Sequence, residues 1–170
     1  MDRSPPTERS YRFDPAEIGP ELLRAHTGLE LMERLLAGGL PMAPMAATLD
    51  FRLVEVGPGR AVFEGEPGRY AYNLTRSVHG GWSATILDSA MGCAVMSTLP
   101  KGRSYTTTEL SIRYVRAIGE TTGPLRAEGV VLHAGRRLAT AEGRLVGVAD
   151  GTLYAHGQTS CLVFAGEDGV

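Results

Sequence analysis

The chain has 170 residues, a formal net charge of −2 and a hydrophobic fraction of 43%. That is enough chain for one domain with its own core, and an ordinary composition for a globular protein. The near-balanced charge excludes bulk attraction to nucleic acid or to an anionic membrane, and no apolar run reaches the ~18 residues of a membrane span. The first residues lack the basic start and apolar core of a secretory signal, so the cytoplasm is the expected location.

Residues 1–13 are polar and contain proline, and they read as a loose arm. Asp14-Pro15-Ala16-Glu17 has the form of a helix start, with a capping Asp and a Pro at the first helical position. Pro20 restarts the pattern. Leu22, Leu29, Met32, Leu35 and Leu36 then fall near one stripe of a helix that Gly38-Gly39 ends. This amphipathic helix, with the arm, makes residues 1–45 an N-terminal extension. Residues 46–56 read as a strand in which Leu49, Phe51 and Leu53 alternate with Asp50 and Arg52. Gly57-Pro58-Gly59 turns into a second strand over 60–66, and 67–78 connects onward.

Residues 80–96 form the exceptional stretch. They read as a helix of apolar and small residues, opened by Gly80-Gly81 and holding one carboxylate, Asp88. A helix apolar on most sides is normally buried, and a carboxylate there is costly to desolvate unless it is paired or used. Its neighbours at helical spacing, Ala84, Thr85, Met91 and Gly92, offer no cation. Either a distant residue pairs with Asp88 or Asp88 does chemistry. Pro100-Lys101-Gly102 breaks the helix.

The remainder reads as strands over 105–115, 125–133, 137–148 and 152–164. Tight turns lie at Ala134-Gly135 and Asp150-Gly151, the latter a strong hairpin signal. Short turns imply antiparallel pairing, and one long helix cannot supply the crossovers of a parallel sheet. The economical arrangement is α+β: a curved antiparallel sheet wrapped around the helix of residues 80–96, with an extra N-terminal helix. Cys93 and Cys161 fall inside these elements; a disulfide stays open, and buried thiols suit a reducing compartment. His26, His133 and His156 show no metal-ligand spacing with cysteine or carboxylate, so no metal is expected.

This order of elements is that of the hotdog fold, and His79-Gly80-Gly81 followed by Asp88 resembles the signature of the PaaI-like acyl-CoA thioesterases. Asn73 precedes His79 by six residues, as in that family. Thr107 matches a position where relatives carry Ser or Thr. Gly135-Arg136-Arg137 resembles the basic turn that relatives place near coenzyme A. The resemblance covers residues 46–164, within a hotdog domain over 46–166.

What the resemblance implies is hydrolysis of a small or medium acyl- or aryl-CoA. Asp88 would act as general base or nucleophile, and the amides of Gly80 and Gly81 would hold the oxyanion at a helix N-terminus. Asn73 would orient water or the thioester, or simply form a turn. His79 would support the loop rather than act as base. Alternation along the strand places Thr107 with Glu109 and Ser111, opposite Leu110 and Ile112, facing either the site or solvent. Arg136 and Arg137 would grip phosphates, or face solvent. No cofactor is implied, because coenzyme A is part of the substrate. Two enzymatic or binding alternatives remain: a non-catalytic acyl-CoA-binding module, and a hotdog dehydratase.

Asp88 lies eight residues past Gly80, so in one straight helix the two are ~12 Å apart. Both can act on one carbonyl only if they come from different chains. A homodimer with two composite sites follows, and the resemblance extends this to pairing of dimers into tetramers.

Overall fold

The computed structural model describes residues 8–13 and 17–166. The helix start at Asp14 falls outside the described residues. Three short helices come first: α1 (Pro20–Ala25), α2 (Gly28–Leu36) and α3 (Pro44–Leu49). The hairpin β1 (Phe51–Gly57) and β2 (Arg60–Gly65) follows, then the long α4 (Gly80–Met96). The chain closes with β3 (Arg103–Tyr114), β4 (Leu125–Ala134), β5 (Leu138–Gly147) and β6 (Leu153–Ala165).

The six strands make one sheet in the order β1-β2-β4-β5-β6-β3, with every neighbouring pair antiparallel. α4 lies against one face of this sheet, which is the hotdog arrangement. A row of glycines sets how closely it lies. Gly129, Gly143 and Gly157 are in register across β4, β5 and β6. A Cβ at Gly129 would fall 2.4 Å from the Ala90 carbonyl oxygen of α4, and one at Gly143 would fall 3.0 Å from Met91 Cγ. Missing side chains on the sheet thus let the helix settle into it. Ile86, Leu87, Ala90, Met91, Ala94 and Val95 are buried there, against Ala61, Ala127, Ala141 and Leu145. Burying one such Leu or Ile side chain is worth about 1.5–3 kcal/mol.

The N-terminal helix of the sequence reading is two helices. Thr27 breaks it: its hydroxyl accepts from the Glu30 amide while the Glu30 carboxylate accepts from the Thr27 amide, a complete capping box. The break also shifts the buried stripe. α2 buries Gly28, Leu31 and Met32, whereas Leu36 is exposed. Gly28 must be glycine, because a Cβ would sit 1.8 Å from the Met96 carbonyl oxygen at the end of α4.

The first strand also begins later than the alternation suggests. Pro44 at the first helical position starts α3, and Asp50 ends it in a left-handed conformation at φ 59°. Only from Phe51 does the chain extend. This turn places the Leu49 carbonyl to accept from Trp82 Nε1 at 2.8 Å, tying the first turn of α4 to the N-terminal helices. Among the described residues, no helix is long and apolar enough to cross a membrane.

Candidate active site

α4 buries its sheet-facing side, but it keeps a half-open stripe through Gly81, Ala84, Thr85, Asp88 and Ser89. These positions recur every three or four residues, so they lie on one face. Asp88 sits in the middle of that stripe. Thr107 donates its hydroxyl to Asp88 Oδ1 at 3.0 Å. Among the described residues no cation pairs with the carboxylate. Burial therefore decides its protonation: desolvation pushes the Asp88 pKa above 3.8, and the Thr107 hydrogen bond opposes it.

Thr107 reaches Asp88 through an irregularity that alternation cannot show. A bulge falls between Thr107 and Glu109, so Thr107 pairs with Cys161 while Leu110 pairs with Thr159. Cys161 and Thr159 are both buried on the helix side of β6. Thr107 thus shares a face with Leu110 and Ile112. The sequence reading, which set it opposite them, is corrected here. Tyr105 packs under the same region, and a Cβ at Gly92 would lie 2.3 Å from its hydroxyl. Burial pushes the Cys93 thiol up to about 12, and it also raises Cys161. Neither thiol is a thiolate nucleophile at neutral pH.

The other group of residues gathers at the start of α4. His79 is the N-cap, and its Nδ1 accepts from the Gly81 amide at 2.9 Å. The Gly81 N–H is therefore engaged within its own chain. Among the described residues nothing accepts from the Gly80 N–H. The Gly80 carbonyl, in turn, accepts from the Tyr114 hydroxyl at 3.0 Å. A Cβ at Gly80 would fall 2.9 Å from Tyr114 Cζ, so the ring of β3 and the glycine of α4 are fitted to each other. Nothing in the sequence pointed to Tyr114, since the contact joins distant segments.

Asn73 staples its own loop. Its Oδ1 accepts from the Thr75 amide at 2.8 Å and from the Thr75 hydroxyl at 2.6 Å, and its Nδ2 donates to Ser77 Oγ at 2.9 Å. That loop delivers the His79 amide to the Ala71 carbonyl at 2.7 Å and so fixes the direction in which α4 starts. At the far end of β3, Arg136 and Arg137 are exposed at the turn after Gly135. Arg103 joins them there, donating Nη2 to the Arg136 carbonyl at 2.7 Å. The three arginines border a concavity of about 360 Å³. The chain thus brings Asp88 to Thr107, and His79 to the two glycines. It does not bring these pairs to each other.

Comparison with known proteins fits this geometry. The family described as the thioesterase superfamily matches residues 76–153, from the loop before α4 into β6. A candidate esterase of Halobacterium salinarum is 39% identical over 75 residues, which is 43% of this chain and about half (48%) of that protein. A solved protein from the thioesterase superfamily is 31% identical with a TM-score of 0.65, covering 79% of this chain and 97% of its own. A mutant of the phenylacetic acid degradation protein PaaI from Thermus thermophilus is 26% identical with a TM-score of 0.64, covering 71% of this chain and 98% of its own. With a superfamily relative 31% identical and matched over nearly its whole length, and the family match covering α4 and β3 to β5, the chain belongs to the thioesterase superfamily and is a hotdog protein of the PaaI-like kind.

Proposed function

We propose that the protein hydrolyses an acyl-CoA thioester to the free acid and coenzyme A. The observation that carries this reading is Asp88. It is a half-buried carboxylate on the open stripe of α4, without a cationic partner among the described residues and held by one hydroxyl. A structural carboxylate would be neutralised by a cation or by several donors. A carboxylate raised by desolvation is poised to take a proton from water or to attack a carbonyl.

The start of α4 supplies the complementary part. Its amides and the positive end of the helix dipole suit the charge that grows on the thioester oxygen. Because Gly80 and Asp88 of one chain are ~12 Å apart, each site takes Asp88 from one protomer and Gly80 and Gly81 from its partner. Two features support such pairing. β3 ends the sheet with an unpaired edge, and Leu110, Tyr114 and Val115 on and just beyond it are exposed. In the paired state His79 shares or releases the Gly81 N–H, while Asn73 holds the loop in place. Pairing of dimers into a tetramer, and a cytoplasmic setting, belong to the same reading.

The reaction adds water across the C–S bond. Asp88 takes the proton of the attacking water, or forms the acyl bond that water then cleaves. The tetrahedral oxyanion collapses, and the thiolate of coenzyme A leaves and is protonated. Arg136, Arg137 and the backbone at Gly135 grip phosphates of the carrier in this reading, and Arg103, bonded to the Arg136 carbonyl, braces that turn. The test is thiol release over a panel of short, medium and aryl acyl-CoA substrates. Release from at least one member, abolished in Asp88→Asn, is expected. Release from none overturns the reading; tight acyl-CoA binding without turnover would mark a binding module instead.

A further inference from the structure

The sheet face that turns away from α4 has two unlike halves. On β1, β2 and β4 two arginines and three glutamates form one paired network. Arg60 bridges Glu55 and Glu128, and Arg126 bridges Glu55 and Glu64. On β3, β6 and β5 the register sets Arg113 opposite His156, and His156 opposite Arg144. All three positions face away from the helix, since their neighbours Ala155, Gly157, Gly143 and Leu145 are buried on the other side. Among the described residues none of the three has an ion pair or a side-chain hydrogen bond. Glu128 stands across from Arg144 but is committed to Arg60.

Arg113 and Arg144 thus flank one strand position as two like charges, and no ion pair among the described residues neutralises either. Arg113 and Arg144 are two strand spacings apart, ~10 Å, with His156 between them. Both guanidinium forks can lean over the imidazole to meet one small anion. The row lines a concavity of about 430 Å³, shared with Gln158, Leu153 and one carboxylate, Glu142. Glu142 reaches neither arginine, so cationic groups outnumber it.

We infer that Arg113, His156 and Arg144 form a binding site for a phosphate-type anion on the outer face of the sheet. Guanidinium forks match the oxygens of a phosphate, and the imidazole and the Gln158 amide add donors. A second copy of the chain fits the row less well. A twofold contact would set the same basic row against itself. The site stands apart from the basic turn at Arg136 and Arg137 and from Asp88, so it does not rest on the catalytic reading. The phosphate can be free, or it can belong to the nucleotide end of coenzyme A.

The experiment is a thermal-melt and calorimetric titration of the full chain at constant ionic strength. Inorganic phosphate and adenosine 3′,5′-bisphosphate are the probes, and chloride is the control. Wild type is expected to gain melting temperature with phosphate. In Arg113→Gln/Arg144→Gln the affinity for inorganic phosphate is expected to fall at least about tenfold, while Arg136→Gln/Arg137→Gln lowers at most the share of bisphosphate binding that belongs to the basic turn. Without phosphate the double glutamine variant should melt at or above wild type, because repulsion has been removed. Arg113→Lys/Arg144→Lys keeps the charges and guards against a folding failure; it should retain part of the binding. A raised KM for acyl-CoA in the glutamine variant would assign the anion to the carrier. An unchanged KM with phosphate binding lost would assign free phosphate. The inference is overturned if phosphate acts no more than chloride, if the glutamine variant binds as wild type does, or if it changes only the oligomeric state.

Discussion

The two working regions of α4 are held in opposite ways. In the proposed reaction the backbone at its N-terminus is the reagent, and side chains hold it: His79 takes the Gly81 amide, and Tyr114 takes the Gly80 carbonyl. In its middle the proposed reagent is the Asp88 side chain, and one hydroxyl from β3 holds it. The first region is exposed and tightly stapled. The second is half-buried and lightly held, so solvation governs it. On the proposed reading, the difference means that neither region is a site alone. If both act on one thioester, a donor cluster and a base ~12 Å apart on one helix must come from two chains.

Removing the base is the largest way to break this pair. Asp88→Asn is expected to lower kcat by about 10³ or more, since an amide neither accepts a proton nor attacks. Its stability should move the other way. Burial raises the Asp88 pKa, so between the ordinary and the raised value the folded state binds more protons than the unfolded state. Stability from this group is therefore lost as pH rises through that window. At neutral pH the Asn variant should melt at or above wild type, and the gap should close in acid. A melt series across pH beside the thiol-release assay checks both. Full activity in the variant would remove Asp88 from the mechanism.

Breaking the other region and mixing the two variants tests the two-chain geometry. A Cβ at Gly81 would lie 2.9 Å from His79 Nδ1, so Gly81→Ala disturbs the cap and the amide together. A loss of about 10² in kcat is expected. Unfolded and refolded together, Asp88→Asn and Gly81→Ala chains should form mixed dimers with one intact site each. Roughly a quarter of wild-type activity should return from an equal mixture. No recovery, with mixed dimers verified by mass, would place both groups on one chain.

Thr107 gives a finer test. Its hydrogen bond stabilises the charged form of Asp88 against desolvation. Thr107→Val keeps the shape and deletes the donor, so the acid limb of the pH–rate profile should move to higher pH. At neutral pH a loss of about tenfold is expected, the scale of one hydrogen bond to a charged group. A profile that keeps its acid limb would mean Thr107 does not tune Asp88.

What the sequence made legible follows from local physics. The long helix, the hairpins and the carboxylate without a local cation all show as apolar runs, turn residues and an odd charge. Thr27 and Asp50 were visible as residue types, but capping that cuts through an apolar stripe is outweighed by the stripe when only spacing is counted. The bulge at Thr107 was hidden for a different reason. It is a property of how β3 pairs with β6, and alternation along one strand says nothing of its partner. For the same reason the row of Arg113, His156 and Arg144 exists only once the register is known.

Tyr114 is the smallest and most particular test of the stapled region. Its hydroxyl donates to the Gly80 carbonyl, and its ring occupies the space that a side chain at Gly80 would need. Tyr114→Phe deletes the bond and keeps the ring, so kcat should fall about two- to fivefold at unchanged KM, the scale of a neutral hydrogen bond acting through position. Gly80→Ala should cost more in wild type than in Tyr114→Ala, because the smaller partner leaves room for the added methyl. That non-additivity, read as a double-mutant cycle on kcat, separates a fitted pair from two independent contributions. A strictly additive cycle would show that Tyr114 merely lies near Gly80. A positive coupling would make it the residue that aims the first turn of α4 at the thioester.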